Sequence, residues 1–135
     1  MTTNQTITLS PDEQAEARHA LAVMNVAPHI INDGIEGLLR DWHLAVNQCE
    51  QGYHGCLEAY RNDLYGRDLI HHLQHRVSQS LAAKIAALVE DDDRRMHALL
   101  IGDECMGDEE ELRRHQLSPA VEWWYFGYPR TGKPE

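Results

Sequence analysis

The chain has 135 residues, of which 42% are hydrophobic and 25% charged, and its formal net charge is −10. This length and composition suit one globular domain with a single core, which we expect at residues 1–128, followed by a polar C-terminal tail at residues 129–135. The negative charge disfavours direct binding to nucleic acid, because phosphate groups would be repelled.

The sequence has no basic, apolar leader and no run of 18 consecutive apolar residues, which predicts a soluble protein that does not enter membranes. Its three cysteines, Cys49, Cys56 and Cys105, are odd in number and lack disulfide or zinc-site spacing. Reduced thiols are typical of the cytoplasm, so we expect a cytoplasmic protein. No convincing nucleophile and no phosphate-binding glycine loop occur, so we expect neither enzymatic activity nor a cofactor.

Apolar residues recur at helical spacing along nearly the whole chain, and no stretch alternates convincingly with the two-residue period of a strand. The motif Ser10-Pro11-Asp12-Glu13 places an N-cap serine before a first-turn proline and a glutamate at the third position. This is a capping box, and it predicts a first helix from about Pro11 to Val26. A second helix follows Pro28, with an apolar stripe made of Ile31, Ile35, Leu38, Trp42, Val46 and Cys49.

Helical spacing continues in the second half of the chain. A third segment covers Cys56 to Leu64, and the clearest pattern runs without interruption from Leu69 to Leu88. Further helices are predicted at Arg94 to Met106, at Asp108 to about Gln116, and, rich in aromatic residues, at Ala120 to Phe126. The fold class is therefore predicted to be all-α, an antiparallel bundle of about five to six helices with a short aromatic C-terminal helix.

Ten of the 22 acidic residues lie between Glu90 and Glu111, where only Arg94 and Arg95 oppose them. One interpretation is structural, because carboxylates cap helices and are well solvated there: Glu90 to Asp93 would cap a helix that starts at Arg94. The other interpretation is a face that binds a basic partner. The predicted partner-binding carboxylates are Glu90, Asp91, Asp92, Asp93, Asp108, Glu109, Glu110 and Glu111.

Five of the nine aromatic residues form a second concentration near the C-terminus: Trp123, Trp124, Tyr125, Phe126 and Tyr128. Consecutive residues of a helix point 100° apart, so a helix cannot bury all these rings against one surface. Some rings should then be exposed or meet another chain, either a protein partner or a second copy in a homodimer. The alternative is that the short helix lies in a crevice of the bundle. Trp123, Trp124, Tyr125 and Tyr128 complete the predicted partner-binding set.

The run from His71 to His75 is a local pattern that indicates a metal. His71 and His75 are four residues apart, so they share one helix face with Asp68 and could hold zinc or nickel weakly. On a helical projection this face lies well away from the apolar stripe, so these side chains should point to solvent or to a partner. A solvated polar face is the competing interpretation, and no metal is expected.

Part of the histidine pattern resembles the hemerythrin family. His54 and Glu58 form an HxxxE, His71 and His75 form an HxxxH, and His29 and His97 could supply the outer histidines. The resemblance implies a non-haem di-iron site and a role in oxygen or iron sensing. It involves only scattered residues, and the family's final spacing of histidine and aspartate is absent, since Asp103 stands six residues after His97.

Two classes of function follow. The first is a small acidic helical protein-binding module, such as an inhibitor, an antidote or immunity protein, or an adaptor, which covers a basic, nucleic-acid-binding surface of another protein. The second is a metal-binding helical bundle in which histidines and carboxylates hold iron or zinc.

Overall fold

The computed structural model describes residues 8–110, 113 and 116–135. In this part of the chain there are four α-helices, one 3₁₀ turn and a two-stranded sheet, so the fold is mostly helical but is not the purely helical bundle of five to six helices predicted above. In chain order the elements are α1 Pro11–Val23, α2 Pro28–Gln51, α3 Leu57–Gln74, α4 Gln79–Leu99, β1 Leu100–Cys105, the 3₁₀ turn Trp123–Tyr125, and β2 Phe126–Pro129.

The start of α1 confirms the predicted capping box. The Glu13 backbone N–H donates to Ser10 Oγ at 3.1 Å, and the Ser10 N–H donates to Glu13 Oε1 at 2.8 Å. Two of the backbone donors at the beginning of the helix are thereby satisfied. The helix ends at Val23, three residues before the predicted end, and Asn25 then adopts the left-handed conformation with φ 59°.

Helix α2 lies at the centre of the fold and packs against α1, α3 and α4. Its predicted stripe is confirmed, because Ile35, Leu38, Trp42, Val46 and Cys49 are all buried and Ile31 packs against them from a partly buried position. The core therefore forms where the other three helices cover this stripe.

Gly34 breaks the regular geometry of α2 near its beginning. Its φ of 70° and ψ of −167° lie in a region that only glycine occupies readily, and the helix is kinked at this point. Just before the kink, the Asn32 carbonyl accepts a hydrogen bond from Arg18 Nη2 at 3.3 Å, which ties this turn of α2 to α1.

The predicted uninterrupted helix from Leu69 to Leu88 is wrong. The chain leaves α3 after Gln74 and restarts as α4 at Gln79, with Ser78 as N-cap. The Leu81 N–H donates to Ser78 Oγ at 3.3 Å, and the Glu16 carboxylate of α1 accepts the Ser78 N–H at 2.6 Å. Apolar residues keep their helical spacing across this turn because Leu73, Val77 and Leu81 all pack on the same core.

The predicted helix from Arg94 to Met106 is also wrong. Helix α4 runs through Glu90 to Asp93 without a break and ends at Leu99, so these acidic residues lie inside a helix rather than capping a new one. After Leu99 the backbone becomes extended, because it forms a strand with the C-terminal segment. Part of the predicted helix from Asp108 to Gln116 lies outside the described residues. At its predicted start, the Glu110 N–H donates to Asp108 Oδ1 at 2.9 Å.

The predicted aromatic helix from Ala120 to Phe126 is replaced by the 3₁₀ turn and by β2. Strand β2 pairs antiparallel with β1, Leu100 facing Pro129 and Ile101 facing Tyr128. Gly127 has a φ of 83°, and a Cβ at this position would lie 2.8 Å from the carbonyl oxygen of Ile101. The close pairing of the two strands therefore requires glycine here.

The segment after β2 lies against the helices. Arg130 N–H donates to the Leu99 carbonyl at 2.9 Å, and the Leu57 N–H donates to the Glu135 carbonyl at 3.1 Å. Pro134 is buried. In the described residues no helix has both the length and the apolar character needed to cross a membrane.

Replacing two of the helical glycines by alanine should change stability in opposite directions. Gly66 has no atom within 4 Å of the position of a Cβ, so Gly66→Ala should stabilise the fold by about 0.5–1 kcal/mol through its better helix propensity. Gly34→Ala should destabilise it by about 1–3 kcal/mol, because alanine is strained at positive φ. Urea unfolding of both variants measures the difference. A Gly34→Ala variant as stable as the parent would contradict the positive φ described for Gly34.

Candidate functional site

A buried ion pair lies where three helices and the C-terminal segment meet. Arg67 of α3 donates from Nε and Nη2 to the two carboxylate oxygens of Asp93 on α4, at 2.9 and 2.8 Å. Trp42 Nε1 of α2 donates to the same carboxylate at 3.0 Å. The Arg67 guanidinium also lies over the ring of Trp124, 4.4 Å from its centroid. Asp93 therefore holds α2, α3 and α4 together through charge-assisted hydrogen bonds.

Asp92 takes part in a second set of contacts between α2 and α4. Its Oδ1 lies 2.8 Å from His43 Nδ1 and accepts a hydrogen bond from Arg95 Nη1 at 3.0 Å. Arg95 in turn donates from Nε to Glu50 Oε2 at 3.0 Å, and this hydrogen bond lowers the pKa of Glu50. Asp92 is buried, so its carboxylate contacts residues of its own chain.

The predicted acidic face is thus divided. Asp92 and Asp93 serve internal contacts, whereas Glu90 and Asp91 are exposed. Asp91 pairs with the exposed Arg94 one turn further along α4, and exposed pairs of this type contribute little to stability. Of the four residues from Glu90 to Asp93, only Glu90 and Asp91 are therefore available to a partner.

The second half of the acidic segment stays at the surface. Asp103 and Glu104 are exposed on β1, and Asp108, Glu109 and Glu110 are exposed just after it. We call these five residues the hairpin acidic surface. Glu104 pairs with Lys133 Nζ at 3.1 Å, and Ile101 beside them is 45% exposed. Glu111 lies outside the described residues.

The aromatic cluster is packed mainly within its own chain. Trp124 and Tyr125 are 1% and 2% exposed, while Trp123, Phe126 and Tyr128 are partly buried against the core. Trp124 and Tyr125 are thus buried, as in the alternative of a crevice in the bundle, whereas Trp123, Phe126 and Tyr128 keep part of their surface exposed. The cause is that the backbone is a 3₁₀ turn followed by a strand, so the rings reach different sides of the core instead of radiating from a helix.

The histidine run lies beside this cluster. The His71 ring is 5.3 Å from the Trp124 ring and 4.6 Å from the ring of His75, with distances measured between centroids. Asp68 was expected to share an exposed face with His71 and His75, but it is buried at 5% exposure and its Oδ2 lies 3.4 Å from His72 Nε2. That part of the prediction is wrong because α3 is covered on more than one side.

The structure does not assemble the residues of the hemerythrin resemblance. Within the described ranges no group of three or more histidine, cysteine or acidic side chains could hold a metal ion. Glu58 and His71 lie 13 residues apart on the same helix α3, which separates them by about 20 Å at 1.5 Å per residue. His97 packs instead against Trp123, with 4.9 Å between the ring centroids.

The three cysteines differ in their surroundings. Cys49 is buried, and burial raises its pKa to about 12, so its thiol stays protonated and unreactive at neutral pH. Cys56 is exposed at the N-cap position of α3, and Cys105 is partly buried at the end of β1.

A groove between α2 and α3 was not predicted from the sequence. It has a volume of about 460 Å³ and is bordered by three carboxylates, those of Asp33, Asp41 and Asp63. Gly34, Gly37 and Gly66 also line it. Small residues on two neighbouring helices are the signal that could have indicated it, because they leave space where larger side chains would meet.

The sequence matches no family model, and no curated protein or solved structure is detectably similar to it.

The pKa values of the neighbouring His71 and His72 should lie on opposite sides of the ordinary histidine pKa of 6.5. The hydrogen bond to Asp68 raises the pKa of His72, and burial lowers the pKa of His71. His72 therefore adds stability that is fully present below pH 6.5 and is lost as the pH rises through its folded-state pKa. His71 adds stability that is present above pH 6.5 and is lost as the pH falls through its folded-state pKa.

Nuclear magnetic resonance titration of the imidazole signals checks this order. Asp68→Asn should lower the pKa of His72, because the charged hydrogen-bond partner is removed. If His71 and His72 titrated together in the parent protein, the described contact between His72 and Asp68 would be contradicted.

Proposed function

We propose that this chain is a small acidic protein-binding module whose partner presents a basic surface. It acts by covering that surface, as an inhibitor, antidote or immunity protein, or adaptor does, and not by catalysis. A nucleic-acid-binding protein is the partner class that best matches this charge, because its binding surface is rich in lysine and arginine.

One observation carries the proposal: the hairpin acidic surface is exposed and its charges are of one sign. Its five carboxylates lie within eight consecutive positions, Asp103 to Glu110, and Glu104 forms an ion pair with Lys133. All five residues are exposed to solvent, so the fields of their carboxylates reach a partner before contact.

An exposed apolar side chain on the same strand supports a contact surface. Ile101 lies on β1 two residues before Asp103 and is 45% exposed. Interfaces combine apolar contacts with charges of one sign that select the partner. A homodimer through the aromatic cluster stays a prediction, and it would rely on the partly exposed rings of Trp123, Phe126 and Tyr128.

The chemistry of the partner can be tested without knowing the partner. The protein is immobilised, and short peptides are selected on it from a display library of unbiased composition. We expect the recovered peptides to be rich in arginine and lysine. Recovery of neutral or acidic peptides, or no enrichment at all, would overturn the proposed function.

Neutralising the hairpin acidic surface should slow association. The triple variant Asp108→Asn, Glu109→Gln, Glu110→Gln should bind the recovered basic peptides with an association rate reduced about threefold or more at low salt, because exposed charges act mainly through long-range steering. Stability should change little, since asparagine still caps a helix. Surface-immobilised binding kinetics across a salt series measure the effect.

The matched control removes three exposed carboxylates elsewhere, with Asp12→Asn, Glu36→Gln and Glu58→Gln. Both triple variants have the same net charge, −10 plus 3, or −7. If the control slowed association as much as the first variant, the effect would come from overall charge, and the hairpin acidic surface would have no special role.

A further inference from the structure

The groove between α2 and α3 extends along much of α2. The part near the beginning of α2 has a volume of about 460 Å³, and an adjoining part near its end has about 470 Å³. Gln48 and Asp63 border both parts, so they join into one elongated feature. At 1.5 Å per residue the 24 residues of α2 span about 36 Å.

The charge around this groove is negative. Asp33 and Asp41 lie on its α2 side, and Asp63 lies on its α3 side. Among the described residues that line it there is no lysine or arginine, although Arg40 is close enough to Asp33 and Asp41 to offset part of their charge, at 3.9 and 3.4 Å. Asp63 accepts a hydrogen bond from Tyr53 at 3.2 Å and is partly buried, so it presents its carboxylate in a fixed position.

The groove also has exposed apolar side chains at its border. Leu44 is 51% and Tyr65 is 38% exposed, and both line it. They are two of the five large hydrophobic side chains that are exposed in the described part of the chain. A ligand that is complementary to this surface carries positive charges at intervals, with apolar groups between them.

From this arrangement we infer that the groove between α2 and α3 docks a basic segment of the partner protein, in which lysine or arginine alternates with apolar residues. The inference rests on the proposed function and assigns the place of tight contact, while the hairpin acidic surface steers the approach. The elongated shape favours a peptide segment over a compact small molecule, because a single ligand of drug size would fill only one of the two parts.

Gly66 offers a way to fill the groove without disturbing the fold. It lies inside α3 and lines the groove, and a Cβ added there meets no atom within 4 Å. A leucine at this position therefore projects into the space that the partner segment would use. Ala83 on α4 is exposed and does not line the groove, so Ala83→Leu is the matched control.

The experiment measures the affinity of the recovered basic peptides for the parent protein and for both leucine variants. Gly66→Leu should weaken binding about tenfold or more, mainly through faster dissociation, while Ala83→Leu should leave it unchanged. Asp63→Asn should also weaken binding. Backbone amide signals of α2 and α3 should shift when peptide is added to the parent protein.

Each outcome has a distinct meaning. If basic peptides bind but Gly66→Leu binds them as the parent does, the groove is not the docking site and the proposed function is untouched. If no basic peptides are recovered, the proposed function fails, and this inference fails with it. Equal weakening of peptide binding in both leucine variants would also overturn the groove as the docking site.

Should Gly66→Leu not fold, the pair Asp41→Asn and Asp63→Asn replaces it. The control is then Asp12→Asn with Glu58→Gln, which removes the same charge at two residues that do not line the groove. Equal binding by these two double variants would overturn the inference.

Discussion

The pair formed by Arg67 and Asp93 is the contact on which the arrangement of the helices depends. It places a guanidinium with 6% side-chain exposure against a carboxylate with 20%. Removing two charges from water costs several kcal/mol per ion, so such a pair is tolerated only with good geometry and additional hydrogen bonds. Asp93 has both, because it accepts two hydrogen bonds from Arg67 and a third from Trp42. The ring of Trp124 covers the guanidinium, which draws the C-terminal segment onto the helices.

This contact explains why the acidic segment that begins at Glu90 contains both internal and exposed carboxylates. Position 92 is buried and its carboxylate faces His43 of α2, while the partly buried position 93 faces Arg67 of α3, so both carboxylates have fixed basic partners. Beyond Leu99 the chain forms a strand, and five carboxylates follow between Asp103 and Glu110. They remain exposed at the surface. The acidic segment therefore contains two internal carboxylates, those of Asp92 and Asp93, with exposed carboxylates on either side of them.

Local signals in the sequence predicted local structure well. The capping box at Ser10 and the stripe of α2 depend on neighbouring residues, and both are present. The interruption at Ser78 was missed because apolar spacing continues through it and the Glu16 carboxylate that supports the cap is 62 residues away. The sheet, the burial of Trp124 and the partner of Asp93 depend on segments far apart in the chain. Periodicity has no information about such contacts, so the sequence singled out Asp92, Asp93 and Trp124 as partner-binding residues and missed their contacts within the chain.

The central claim is that Asp93 is an internal structural charge, whereas its neighbour Asp91 is a surface charge. Double-mutant cycles on urea unfolding test it directly, one for Arg67→Ala with Asp93→Ala and one for Arg94→Ala with Asp91→Ala. We predict a coupling free energy of about 2 kcal/mol or more for the first pair. For the exposed pair we predict about 0.5 kcal/mol or less. Equal, small coupling in both cycles would contradict the account.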